Sequence, residues 1–289
     1  MTDWLDLTER ASFASHRIIG WIFWDPVAQA ELESLGVPGG MGHYIAYRGA
    51  PLAAAGTEAV VAAFYTIKRE LIEFSLNNAA PHATWLQIHQ ARDRAIHVGI
   101  KRLAPNIEAP IGTLATELWH AVDNLPVSGR VLFAAHKQWP RSEVPFVSAW
   151  NALNTLREWR GDTHFGLLIA DGIGAVEAGL LHDAWMGYPK QWIPRSRGAN
   201  DDEISQGLTN LGERGFVTDG VINQVGIEYR QHLERRTNEM CIPMWQEVGE
   251  STVRRLLEII EPISEVFIKH IDATAGDNWM PAARPRRIN

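Results

Sequence analysis

The sequence lacks most features of secreted, membrane-embedded or nucleic-acid-coating proteins. It contains one cysteine, Cys241, which excludes an internal disulfide framework and fits a reducing compartment. No apolar run approaches the ~20 residues that cross a bilayer, and no basic segment followed by an apolar one opens the chain. We therefore expect a cytoplasmic protein without a membrane partner. The 27 basic against 34 acidic residues argue against a protein that mainly wraps nucleic acid.

Common cofactor and nucleophile motifs are also missing. The glycine-rich stretch Gly36–Gly42 lacks the Gly-Lys-Ser/Thr of a P-loop, and neither GxGxxG after a strand nor GxSxG occurs. The cofactor is therefore unknown, with haem and metal still open. His89, Asp93 and His97 share a helical face, but the outer two lie ~12 Å apart. We predict a solvent-facing stripe there and no metal site.

The composition favours a buried core with many tryptophans. Apolar residues make up 46% of 289 residues, and there are 12 Trp, more than either Phe or Tyr. Tryptophan combines a large apolar surface with one N–H donor. Two interpretations follow: the tryptophans pack helix against helix, or some of them line a cavity for a flat ligand.

The spacing of apolar residues predicts a mostly α-helical chain. We expect helices over 142–160 and 162–171, with Gly161 ending the first and Asp162 capping the second. Two further helices are predicted over 223–240 and 251–271. The tail, residues 272–289, has little apolar content and is expected to be disordered.

A winged helix is predicted in the second half of the chain. Helical segments over 162–171, 174–186 and 202–214 precede Phe216–Ile222, where Asp219-Gly220 lies between two short β-prone runs. The string Leu208–Thr237 resembles the MarR-type pattern of recognition helix, wing and following helix. This resemblance implies a winged helix-turn-helix with a small β-hairpin wing.

A wider resemblance covers nearly the whole chain except the tail. The strings YIAYRGAPL (Tyr44–Leu52) and LREWRGDTH (Leu156–His164) resemble those of an actinobacterial family of helical proteins with a winged-helix C-terminal part. The resemblance implies a MarR-like winged fold with an added helical region, and it carries no activity. We predict a helical ligand-pocket region (1–160), a winged-helix domain (161–240), a C-terminal helix (241–271) and the tail (272–289).

The predicted recognition helix has the wrong charge for reading DNA. Residues 201–214 contain four acids and one base, whereas a recognition helix offers basic and amide side chains to phosphates and base edges. Lys190, Arg195 and Arg197 precede this helix and could hold a phosphate, or form a solvated basic loop. DNA binding is therefore possible but disfavoured.

A dense polar cluster marks the first candidate site. In the functional interpretation His164 is a general base or ligand, Asp162 or Glu158 orients its imidazole, and Arg160 clamps an anion. In the structural alternative Asp162 caps a helix, Arg160 complements a helix end and Glu158 pairs with an arginine.

The second candidate wall of the pocket surrounds Arg48, which lies among small and apolar residues and must surface or meet a carboxylate or ligand. We group it with His16 and Tyr44, and with the aromatic pair Phe64 and Tyr65 from the matching AAFY string. The alternative for Arg48 is a structural salt bridge.

These observations favour a small-molecule-binding protein on a MarR-like scaffold, able to act as a ligand-responsive regulator with weak DNA binding. The alternative is a small enzyme performing acid–base chemistry on an organic substrate between Arg48 and the Arg160–His164 segment. A purely structural or partner-binding role comes last because it leaves the polar cluster unexplained. We predict a homodimer formed through the helices after residue 223.

Overall fold

The computed structural model describes residues 2–40 and 42–287. Their regular structure is almost entirely helical, which confirms the predicted mostly α fold. Four short 3₁₀ turns and one two-stranded sheet complete it. The elements are α1 (Trp4–Gly20), α2 (Pro26–Ser34), α3 (Gly42–Ala53), α4 (Thr57–Phe64), α5 (Arg69–Ala79), α6 (Trp85–Leu103), α7 (Glu108–Gly112), α8 (Ala115–Asn124), α9 (Val131–Lys137), α10 (Pro145–Ala170), α11 (Ala175–Met186), α12 (Trp192–Ser196), α13 (Asp201–Glu213), β1 (Val217–Thr218), β2 (Val221–Ile222), α14 (Gln224–Val248), α15 (Glu250–Ile260) and α16 (Glu265–Thr274).

The longest helix, α10, runs through the centre of the molecule. It starts at Pro145, where the missing N–H costs no hydrogen bond. Apolar residues occur on all its sides, which is typical of a helix buried on all sides. Helices α1, α7, α8, α9 and α14 pack around it. Side chains from α10 can therefore reach both the helical region and the winged part.

Tryptophans form much of the main core, as one of the two interpretations predicts. Trp21, Trp150 and Trp245 are fully buried. The indole of Trp150 donates to the carbonyl of Ile18 at 2.9 Å, and that of Trp245 donates to Ser12 Oγ at 3.2 Å. These bonds join α10 and α14 to α1.

The winged part has its own smaller core. Leu168, Leu181, Ile204 and Leu233 bring the end of α10, α11, α13 and α14 together. Helices α11 and α13 approach closely at Gly207, where a Cβ would lie 3.1 Å from Leu180 and Val176 side chains. The loop between them contains α12.

The β-hairpin predicted over 216–222 is confirmed. Val217 pairs with Ile222 and Thr218 with Val221 in an antiparallel ladder. Asp219 and Gly220 have φ of 51° and 75°, as a type I′ turn requires.

The break predicted at Gly161 is wrong, because α10 continues through it. An interior glycine costs a helix only about 1 kcal/mol, and buried Leu156, Trp159 and Leu167 anchor the helix on both sides. The carboxylate of Asp162 accepts from the backbone N–H of Phe133 at 3.0 Å. Asp162 therefore caps the start of α9, and it does not begin the helix that was predicted over 162–171.

The C-terminal segments also differ from the expectation. The helix predicted over 251–271 is interrupted at Glu261–Ile263, because Pro262 supplies no backbone N–H. The tail predicted to be disordered packs against the body as far as residue 287. Ala283 is fully buried and its carbonyl accepts from Arg17 Nε at 3.0 Å, while the backbone N–H of Arg287 donates to Met186 O at 3.0 Å.

Continuous helices cross the predicted domain boundaries: residues 160–161 lie in α10, 240–241 in α14 and 271–272 in α16. Helices α14 and α15 contain the segments expected to form a dimer interface. They bury Leu233, Leu256 and Leu257 within the chain, while Val225 and Met240 are exposed. The homodimer remains a prediction.

Among the described residues, no single helix is both long and apolar enough to cross a membrane. Only α10 and α11 taken together, bent by 109° where they meet, reach that length and apolar composition.

Candidate ligand cavity

A cavity of about 580 Å³ lies where the helical region meets the winged part. Helices α1, α3, α10, α11 and α14 and the C-terminal tail contribute to its walls. The predicted residues His16, Tyr44, Arg48, Arg160 and His164 line it together, and Arg197 joins them from the loop after α12. The two sequence segments that were predicted to face one pocket thus border the same space.

The cavity is rich in arginine although the whole chain is acidic. Guanidinium groups are always protonated in proteins, so the lining carries excess positive charge. The charged lining residues are Arg10, Arg17, Arg48, Arg157, Arg160, Arg197, Arg230, Arg284 and Arg286 against Glu9, Glu234 and Glu261.

Arg48 makes a buried ion pair with Glu158. Its Nε and Nη2 donate to the two carboxylate oxygens at 2.9 and 2.8 Å, and Arg157 Nη2 donates to the same carboxylate at 2.5 Å. Burial alone would raise the pKa of Glu158, but the two arginines outweigh it and hold that pKa well below its usual range. Glu158 is therefore a fixed anion. This contact is the structural salt bridge that was the alternative prediction for Arg48.

The hydroxyl of Tyr44 lies among three guanidinium groups. Arg48 Nη1 donates to it at 3.1 Å, and Arg157 and Arg197 are close enough to act on it electrostatically. Burial favours the neutral phenol, yet the three arginines lower the pKa of Tyr44 below its ordinary value. The three arginines are balanced here by one carboxylate, that of Glu158, so the net charge around the hydroxyl is positive.

Arg197 differs from the other cavity arginines. Its Nη1 donates to Thr66 Oγ1 at 3.1 Å. Within residues 2–40 and 42–287, Arg197 and Arg286 are the cavity arginines that have no carboxylate at ion-pair distance. Removal from bulk water lowers the pKa of Arg197. Arg197 thus lies near Tyr44 and Arg48 without an ion-paired carboxylate among the described residues. Asp183 acts on it only from beyond ion-pair distance, and burial raises the pKa of that carboxyl to about 7.

Arg160 belongs to a second charged group on the α14 side. Glu234 accepts from Arg160 and forms an ion pair with Arg230 at 2.8 Å, while Asn238 accepts from Arg160 at 3.1 Å. The two arginines hold the pKa of Glu234 far below its usual range despite its burial. Arg160 is consequently already paired and is a weaker anion clamp than predicted.

Three histidines lining the cavity are neutral. Burial lowers the pKa of His16 and His164 to about 3, and that of His182 also falls far. His16 Nδ1 lies 2.7 Å from the carbonyl of Ser12, so it carries the proton. His164 Nδ1 donates to Thr237 Oγ1 at 2.9 Å, because that hydroxyl itself donates to Leu233 O. In both rings Nε2 keeps its lone pair.

The predicted acid–base set is not assembled. Neither Asp162 nor Glu158 orients His164, whose partner is Thr237. Glu158 is held by two arginines, and Asp162 faces α9, where burial raises its pKa to about 6. No proton relay links the three residues in the described structure.

The other predicted ligand-binding residues lie around the cavity and do not line it. The Phe64 ring packs 4.6 Å from the Arg48 guanidinium carbon. Tyr65 stacks on Phe165, a cavity residue, with ring centroids 5.2 Å apart. Both therefore support the wall from behind.

The predicted basic loop does not act as one cluster. Lys190 is exposed, and Arg195 pairs with Asp201 at 2.7 Å, whereas Arg197 enters the cavity.

The helix before the wing keeps its acidic surface in the structure. On α13, Asp201, Asp202, Ser205 and Gln206 are exposed, and no described residue of this helix is basic. The wing exposes Asp219 at its tip. Arg214, just after α13, donates hydrogen bonds to the carbonyls of Asp171 and Gly172.

The histidine stripe predicted on α6 is wrong for its first member. His89 is buried, with its ring against Trp139 and Nδ1 at 3.0 Å from Arg92 Nη2. Asp93 accepts from Asn151. In the part of the chain that the structure describes, no three His, Cys, Asp or Glu side chains are arranged to hold a metal ion.

Sequence reasoning missed Arg230, Glu234 and His182. Arg230, Glu234 and Asn238 follow one another at four-residue spacing beside buried Leu233 and Cys241. Polar residues that share a helix face with apolar ones were the available signal.

A family model described as "Helix-turn-helix family" matches residues 8–274. No curated protein matches the chain, and neither does any solved structure. The matched range includes both the added helical region and the winged part.

Proposed function

The chain belongs to a helix-turn-helix family, and from that premise we propose that it binds a small organic anion between its helical region and a MarR-like winged helix. Arg197 carries this proposal. A partly desolvated guanidinium without an ion-paired carboxylate is stabilised by an incoming carboxylate or phosphate, which matches its donor geometry. The excess of arginine in the cavity lining also favours a negatively charged ligand.

The cavity joins the two parts of the molecule. Its lining from α1 and α3 belongs to the helical region, whereas α11 and α14 belong to the winged part. A bound anion would therefore contact both, and its binding free energy would favour the arrangement in which they meet. This is the connection that a ligand-responsive regulator requires.

DNA binding is assigned a weak role in this proposal. Helix-turn-helix families are typical of DNA-binding regulators, which place the helix before the wing in the major groove. Here that helix is α13, whose exposed acids would repel phosphates. The enzyme alternative has less support, because Glu158 and Asp162 are committed to other partners.

Anion binding can be tested by titrating inorganic phosphate and benzoate into the protein while its melting temperature is followed. Binding to the folded state raises that temperature with ligand concentration. We expect a rise for the wild-type protein and a much smaller one for Arg197→Gln. Arg195→Gln, a neighbour on the same loop that lies outside the cavity, is the matched control and should behave like the wild type. Equal responses of all three proteins would contradict the proposal.

A further inference from the structure

A second cavity, of about 400 Å³, adjoins the first. Tyr44, Ile67, Arg197, Met280 and Pro281 line both. The two spaces therefore share a wall, and Arg197 stands in it.

The second cavity has an aromatic lining. Trp24 stacks on Tyr44 with ring centroids 5.9 Å apart and planes 9° apart, and Trp279 lies 5.0 Å from Trp24. Phe23 meets the edge of Tyr44, with ring centroids 4.8 Å apart, and Phe74, which also lines this cavity, is 59% exposed. Flat apolar groups bind well against such surfaces.

Charge distinguishes the two cavities. Among the described residues that line the second, Arg197 is the one Asp, Glu, Lys or Arg side chain. The only titratable imidazole there, His43, is kept neutral because burial lowers its pKa. An apolar group in this cavity would thus have one cation beside it, at the boundary with the arginine-rich space.

Tyr44 unites both environments in one side chain. Its ring belongs to the aromatic group, and its hydroxyl accepts from Arg48 inside the first cavity. A molecule that follows Tyr44 from ring to hydroxyl would pass from apolar surface to guanidinium groups.

We propose that the ligand is an aromatic oxyanion whose ring system lies in the second cavity against Trp24 and Trp279 and whose anionic group meets Arg197 beside Tyr44. This deepens the proposed function and depends on it. A carboxylate and a phosphate offer the same oxyanion chemistry to the arginines.

The test is calorimetric titration of the full-length protein with four probes: inorganic phosphate, 2-naphthyl phosphate, 2-naphthoate and uncharged 2-naphthol. We expect at least one naphthyl anion to bind at one site per chain, ten or more times tighter than inorganic phosphate and 2-naphthol. Whichever naphthyl anion binds tighter identifies the oxyanion that the arginines prefer.

Two variants separate the cavities. Phe74→Ser removes an aromatic face from the second cavity at an exposed position, so it should weaken the naphthyl anions about fivefold and leave phosphate unchanged. Val98→Ser, an exposed apolar residue on α6 outside both cavities, is its matched control. Arg197→Gln should weaken every anion about tenfold or more.

The outcomes distinguish the two proposals. Phosphate binding that depends on Arg197 supports the anion-binding function. If, in that case, the naphthyl anions bind no tighter than phosphate, or bind Phe74→Ser as tightly as wild type, the aromatic inference alone is overturned. If anions bind Arg197→Gln as well as wild type, or no anion binds wild type, both are overturned. Equal affinity for 2-naphthol and its phosphate would overturn the role of the oxyanion.

Discussion

Arg48 and Glu158 form a two-point ion pair across 110 residues of sequence, with both hydrogen bonds at 2.8–2.9 Å and Glu158 fully buried. It joins α3 to α10 at the wall of the first cavity. The charges have been removed from water, so the pair is costly to break.

Arg48→Ala should therefore lower the free energy of unfolding by about 3 kcal/mol, since Glu158 would keep only Arg157 as partner. Urea denaturation measures this change. Arg254→Ala removes an exposed arginine paired with Glu250 at 2.7 Å and should cost less than about 1 kcal/mol. Similar losses in the two variants would mean that the Arg48–Glu158 pair adds nothing to stability.

The tail provides a second test, using adjacent alanines. Ala283 is fully buried, whereas Ala282 is exposed. Ala283→Asp should lower the free energy of unfolding by several kcal/mol because an unpaired carboxylate would be buried, and Ala282→Asp should change it by less than about 0.5 kcal/mol. Thermal unfolding compares the pair. Identical melting temperatures would indicate a loose tail.

Stability should fall as the pH is lowered from 7 to 5. Burial keeps the pKa of five histidines far below the ordinary 6.5: His16, His89, His136, His164 and His182. It also lowers the pKa of His43. In the unfolded chain these imidazoles take up protons as the pH falls through 6.5, whereas in the folded chain they do not. Each of the five therefore lowers the free energy of unfolding by about 2 kcal/mol between pH 7 and pH 5.

Three carboxyls act in the opposite direction. Burial raises the pKa of Asp162 to about 6, that of Asp183 to about 7 and that of Asp93 above its ordinary value, so the folded state gains stability as they protonate. The histidines outnumber these carboxyls, and their combined effect is larger. Urea denaturation at pH 7 and pH 5 measures the net loss, and His164→Gln should reduce it by about 2 kcal/mol. Unchanged or greater stability at pH 5 would contradict the neutral histidines.

DNA affinity should respond to charge on α13. Asp202→Lys combined with Ser205→Lys places two cations on its exposed face. Fluorescence anisotropy with a labelled duplex should show tighter binding than wild type and a steeper dependence on salt. The matched control, Asp202→Asn with Ser205→Asn, should gain less. A wild-type protein that already binds duplex tightly with a steep salt dependence would refute the weak role assigned to DNA.

The sequence predicted the fold class well because its strongest signals are local. Asp219-Gly220 specifies a hairpin through its own backbone preferences, and the helices follow apolar spacing. Gly161 was misjudged because tertiary packing on both sides of it outweighs a small local preference. The tail was misjudged for a similar reason, since its few apolar residues find partners on α1.

The candidate site was predicted in part. Arg48 and the 156–164 segment stood out as charge among apolar neighbours, and both border the cavity. The partners of these residues could not be predicted from the sequence, because Arg48 and Glu158, like His164 and Thr237, are far apart along the chain. The aromatic cavity joins Trp24 to Trp279, more than 250 residues apart. Such a pairing leaves no local pattern.

The most direct test of the central claim is a crystal structure of the protein with 6-bromo-2-naphthyl phosphate, located by the anomalous signal of bromine. We predict bromine in the second cavity, against the rings of Trp24 and Trp279, and phosphate oxygens within hydrogen-bond distance of Arg197. Bromine at the protein surface, or a phosphate away from Arg197, would contradict the account.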